Sequence, residues 1–162
     1  WRSFAAVFLV APFYALATLA DRQMAAGLDP AAAPQGDTAF VVQGILGLGL
    51  DWIALPVILA LLARPLGIGG RYSAFIVARN WCAVIVAVPF GAIGLLIVLD
   101  LLGGELGSLL MFAALVAVLR YNYLVARRAL DVSLGFAIGI VVLDFAVSLT
   151  IALVLESLFA AQ

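Results

Sequence analysis

Five predominantly apolar stretches, at 3–20, 38–63, 74–102, 106–126 and 133–158, tile nearly the whole chain. A hydrocarbon core about 30 Å thick is crossed by ~20 helical residues rising 1.5 Å each, so every stretch is long enough, or nearly so, to be a membrane span. The separators are turn and charge signals. Asp21 and Arg22 close the first stretch, and a loop over 27–37 rich in Gly, Pro and Asp follows. Arg64, Pro65 and Gly67-Ile68-Gly69-Gly70 close the second, Gly103-Gly104-Glu105 join the third to the fourth, and Arg127-Arg128 end the fourth. Pro89 falls near the middle of the third, where it is expected to kink the helix. The pattern predicts an all-α, polytopic transmembrane bundle of five spans, forming a single domain over 1–162.

Composition narrows the chemistry. With 67% hydrophobic and 10% charged residues, the chain has too little polar surface to cover a water-soluble globule, so the lipid bilayer is its expected surrounding. A formal charge of −1 excludes the basic surface that nucleic acid requires. The absence of histidine removes the usual ligand of haem, copper and most zinc sites, so neither cofactor nor metal is expected. Cys82, the one cysteine, lies among apolar residues beside Trp81 and reads as a buried, inert thiol. Gly67 to Gly70 lack the Lys-Ser/Thr of a phosphate loop and read as a turn.

Arginine placement sets the orientation. Arg2, Arg64, Arg71, Arg79, Arg120, Arg127 and Arg128 fall on one side of this threading and Arg22 alone on the other, which predicts the N-terminus in the cytoplasm and the C-terminus outside. Tyr72, Trp81, Tyr121 and Tyr123 lie near the same cytoplasmic ends, where an aromatic belt is expected, and Arg79, Asn80 and Trp81 form the expected cytoplasmic interface. All eight basic residues are arginine, a bias of GC-rich coding that points to a bacterial inner membrane. A competing reading makes the first stretch a secretory signal ending at Thr18-Leu19-Ala20. The chain opens on Trp1, so residues are expected to precede it.

The polar residues inside the spans need partners. Asp51 and Asp144 sit near the midpoints of the second and fifth spans. A carboxylate at the bilayer centre costs roughly 2.5–3.5 kcal/mol, less than the ~6 kcal/mol supplied by the fourteen Leu, Ile, Val and Phe of the second span, so that helix inserts but turns Asp51 away from lipid. Small residues mark faces suited to close packing: Gly44, Gly47, Asp51 and Ala54 in the second span, and Asn80, Ala83, Ala87, Gly91 and Gly94 in the third. Ala113, Ala117 and Arg120 form such a face in the fourth; Ala137, Asp144, Ser148 and Ala152, with Gly135 and Gly139, mark the fifth. Turned inward, these faces would place Asp51, Asp144 and Arg120 together near the bundle centre, with Arg120 able to reach either carboxylate.

Such a cluster reads as structural glue or as a proton or ion relay. Leu50-Asp51-Trp52 and Leu143-Asp144-Phe145 also hint at an inverted repeat. An aspartyl dyad for intramembrane proteolysis is disfavoured, because Trp52-Ile53 and Phe145-Ala146 follow the acids where a substrate backbone would need glycine.

The five-span plan with short loops, and Arg79-Asn80-Trp81 after an entry containing Tyr72, resembles bacterial Yip-domain membrane proteins. The resemblance covers topology over the whole chain. The Asp-Leu-Tyr-Gly-Pro and Tyr-x-Pro-Pro signatures of the eukaryotic members are absent, so no functional residue is carried over. It implies a non-enzymatic protein that organises membranes or partner proteins. The expectation is an accessory or scaffold subunit with a membrane-protein partner or a second copy; the alternative is a small proton- or ion-coupled transporter using Asp51, Asp144 and Arg120.

Overall fold

The computed structural model describes residues 2–28 and 36–159; residues 29–35 of the first loop, Asp29 among them, lie outside the described residues. A 3-10 turn at Arg2–Ala5 leads into α1 (Ala6–Leu28), followed by α2 (Asp37–Leu62), α3 (Gly69–Val98), α4 (Gly104–Leu130) and α5 (Leu134–Phe159). All five helices are long and apolar enough to cross a membrane. Pro12, Pro56 and Pro89 each lie inside a continuous helix, so three mid-helix carbonyls lose their N–H partner while the helical path continues.

Two helices end on the same device. After α2, Gly67 (φ +70°) follows the last turn, with Gly67 N–H donating to Arg64 and Ile68 N–H to Ala63. After α3, Asp100 (φ +58°) takes the same place, with Asp100 N–H donating to Ile97 and Leu101 N–H to Leu96. Both are Schellman caps, which need one residue in the left-handed region; glycine fits at no steric cost, and aspartate is among the few others that tolerate it.

Side-chain contacts give the register. Asn80 meets Ser3, and Gly91 and Gly94 seat Phe13 and Leu16, so α1 and α3 run parallel. Cys82 meets Tyr121 and Ile97 meets Gly107, so α3 and α4 run antiparallel. Asp51 meets Ser148 and Gly47 meets Leu155, so α2 and α5 are antiparallel. The main packed pairs are α1 with α3, α3 with α4, α4 with α5, and α5 with α2. The α1–α3 seam is the tightest: a Cβ on Gly94 would stand 2.7 Å from the Leu16 carbonyl oxygen, and one on Gly91 within 2.9 Å of the Phe13 backbone.

Two apolar clusters fill the interior. Leu55, Leu59, Phe75, Ile76, Leu130 and Ile140 gather toward the end holding the α2–α3 and α4–α5 loops. Trp52, Val10, Ala6 and Ala87 pack further along. At the loop end, Arg71 pairs with Asp131 at 3.0 Å, tying the two loops together. At the opposite end Arg22 pairs with Asp37 at 2.9 Å and lies over the Phe40 ring. Most outward positions are apolar, Phe8, Ile45, Leu61, Phe112 and Val142 among them.

Candidate functional site

The interior polar groups form a column between the two apolar clusters. Arg79 enters from α3, where it stands ten residues after Gly69, and Asp144 enters from α5, ten residues after Leu134. Both helices start at the same end of the bundle, so the two side chains meet at one level. Arg79 Nη2 donates to Asp144 Oδ1 at 2.8 Å, and the two side chains keep only 14% and 18% of their exposure. One helical turn beyond Asp144, on the same face, Ser148 donates its hydroxyl to Asp51 Oδ1 of α2. Two hydrogen bonds thus join three helices through α5.

Trp52, next to Asp51, belongs to the apolar cluster with Ala6, Val10 and Ala87, and its indole Nε1 is buried without a hydrogen-bond partner. Asn80 is wholly buried; its amide nitrogen lies 3.3 Å from Ser3 Oγ, while its Oδ1 is unpartnered. Tyr72 donates to the Pro56 carbonyl at 2.8 Å, and Tyr121 lies 3.3 Å from the Cys82 sulfur. Asp51 has Ser148 as its partner and no cation within ion-pair distance among the described residues.

Chemically the column is a neutralised ion pair plus a hydroxyl-bound carboxylate. Arginine is a fixed cation, so Arg79 sets a positive charge directly against the Asp144 carboxyl, whereas Asp51 meets only the neutral hydroxyl of Ser148. Two clefts stand out on the surface. One, of about 410 Å³, runs along the outer side of α2 by Gly49, Leu50 and Ile53; the other, of about 490 Å³, lies between the two loops by Arg71, Asp131 and Ser133. Neither is lined by Asp51 or Asp144. Among the described residues no three His, Cys, Asp or Glu side chains converge as metal ligands would.

The sequence-derived positions separate into two groups. Asp51, Asp144, Asn80, Gly47, Gly91 and Gly94 face the interior. Gly44, Gly135 and Gly139 face open space, with nothing within 4 Å of an added Cβ, so they make no close helix contact. Trp81 is about half exposed on the outer side of α3. The largest departure concerns the arginines. Arg120, expected at the centre, is exposed on the outer face of α4 together with Ala113 and Ala117, and Arg79, expected at the interface, is the residue that answers Asp144.

The physical reason is the rotation of α4. Its inward side is set by Gly107, against which Ile97 closes, by Tyr121 on Cys82, and by Ala126 and Leu130 in the apolar cluster. That set lies roughly opposite Ala113, Ala117 and Arg120 on the helix. Gly107 is not among the small-residue positions marked in the sequence, although Gly103 stands four residues before it in the same small-xxx-small spacing. No protein-family model, curated protein or solved structure matches this chain.

Proposed function

We propose that this chain is a non-catalytic, multi-pass protein of the bacterial inner membrane, N-terminus in the cytoplasm, that works as an accessory or organising subunit by packing against partner membrane helices. The observation that carries this reading is the outer face of α4. It leaves an arginine and two alanines uncovered in the middle of a helix long enough to span the bilayer. Lipid covers leucine and phenylalanine at no loss, but a guanidinium on a lipid-facing surface costs roughly 2.5–3.5 kcal/mol and is rare unless something answers it. Small residues beside it let a second backbone come close.

The interior supports the same reading. Arg79 and Asp144 neutralise each other, Ser148 answers Asp51, and the two clefts do not reach either carboxylate. These are the marks of groups that fix helix register. The resemblance to Yip-domain proteins implies the same class of role. The experiment is purification from native membranes in mild detergent: the chain is expected in a stoichiometric complex with another membrane protein, and recovery as a monodisperse single chain counts against the reading.

A second reading is a proton- or ion-coupled transporter. What favours it is the continuity of Arg79, Asp144, Ser148 and Asp51 across three helices. It requires that proton flux in proteoliposomes fall when Asp51→Asn is introduced into a protein that still folds; unchanged flux, or none in the wild type, sets it aside.

A further inference from the structure

Partner packing leaves open what chemistry meets α4. Resting on that proposed role, we infer that the outer face of α4 receives a transmembrane helix of a different protein, one that carries an Asp or Glu carboxylate inside the bilayer, level with Arg120.

Depth comes first. On α4 the charged residues Glu105 and Arg127 stand 22 positions apart, about 33 Å along the axis, which matches the thickness of a hydrocarbon core. Arg120 lies about 10 Å inside Arg127 and about 6 Å from the midpoint. Its neighbour Tyr121 touches Cys82 of α3, so Arg120 is level with the interior column and is not a residue of the helix end. Yet it is exposed, and among the described residues no carboxylate lies within ion-pair distance of it.

Shape comes next. Ala117 and Ala113 lie about one and two turns before Arg120 on the same exposed face, and Leu109, Val116 and Leu124 flank them. A helix seated on the alanines approaches closely, and its side chain opposite Arg120 is excluded from water. A guanidinium there is best answered by a carboxylate, whose two oxygens match its parallel N–H pair.

A second copy of this chain does not supply that group. The two carboxylates at this level, Asp51 and Asp144, are turned inward and engaged with Ser148 and Arg79. The other described acids lie in loops or within two turns of a helix end, and α4 itself carries only Glu105, about 22 Å from Arg120. A two-fold pairing through α4 would set Arg120 against Arg120. The complementary charge therefore belongs to a partner of other sequence.

The test uses the full chain in its native membrane, with a photoreactive benzoyl-phenylalanine in place of Val116, which points outward beside the alanines. The proposal expects one predominant cross-linked peptide, from a membrane-spanning segment of another protein with an Asp or Glu within that segment. Arg120→Leu should cut its yield at least tenfold, and Arg120→Lys should retain a substantial part. Cross-links to a second copy, to phospholipid alone, or to a segment without an acid overturn it, as does a yield that Arg120→Leu leaves unchanged. Far-UV circular dichroism and a single gel-filtration peak show that the variants are folded. The two failures are distinguishable: a wild-type chain that purifies alone removes the partner reading itself, whereas a partner retained by Arg120→Leu removes only the carboxylate.

Discussion

Replacing Arg79 by leucine probes what holds α3 to α5, because α3 and α5 are not among the main packed pairs and the side chain of Arg79 spans between them. The ion pair is 2.8 Å long, and its two side chains are 14% and 18% exposed. Removing one member of a pair so enclosed leaves an uncompensated charge, and that costs about 3–5 kcal/mol. Arg79→Leu and Asp144→Leu should each destabilise by that amount. The double variant leaves no charge and adds apolar surface, so it should fall within about 1 kcal/mol of the wild type instead of showing the sum of the two losses. The assay is reversible unfolding in mixed micelles with a rising fraction of denaturing detergent, followed by tryptophan fluorescence and circular dichroism. Folding of the double variant where a single variant fails to fold supports the same conclusion. Additivity of the two substitutions to within about 0.5 kcal/mol would refute it.

Other consequences are more local. Gly94→Ala should cost about 1–3 kcal/mol in the same unfolding assay, because the new Cβ would stand 2.7 Å from the Leu16 carbonyl, while Gly44→Ala, in open space, should cost less than about 0.5 kcal/mol. Asn80→Leu should be tolerated within about 1.5 kcal/mol, since it removes a buried, unpartnered oxygen along with one long hydrogen bond to Ser3; Asn80→Asp, which sets a charge at a wholly buried site, should cost more than about 3 kcal/mol. Arg120→Leu should leave the unfolding midpoint of the isolated chain unchanged or raised, because no interior contact is lost; a clear drop would show that Arg120 has an internal role.

The five apolar helices were legible in the sequence because hydropathy and breakers act locally. The expected 38–63 became Asp37–Leu62 and the expected 133–158 became Leu134–Phe159. α3 starts at Gly69, earlier than the expected 74, since the Schellman cap at Gly67 ends the loop within a few residues. α1 runs on past Asp21 and Arg22 to Leu28, because charges at that end continue a helix as readily as they close one.

The column was legible only in part. Periodicity placed Asp51, Asp144 and Ser148 on inward faces correctly, because each lies on a stripe whose alternatives are bulky and apolar. It misjudged α4, where two faces competed. Burying Arg120 favoured one of them, but the contacts of Gly107, Tyr121 and Ala126 with α3 and α5 favour the other. Which helices are neighbours is not contained in a 3.6-residue period. Arg79 reads as an interface residue from its own helix alone; only because α3 and α5 start at the same end, each carrying its charged residue ten positions in, does it meet Asp144.

The most direct test of the central claim is the native mass of the wild-type protein extracted with its surrounding lipid into polymer-bounded discs, measured beside the Arg120→Leu variant. The wild type is expected as a stoichiometric complex with a second membrane protein, and the variant as the free, folded chain. A wild-type chain that emerges alone, at the mass of one copy with lipid, would contradict it.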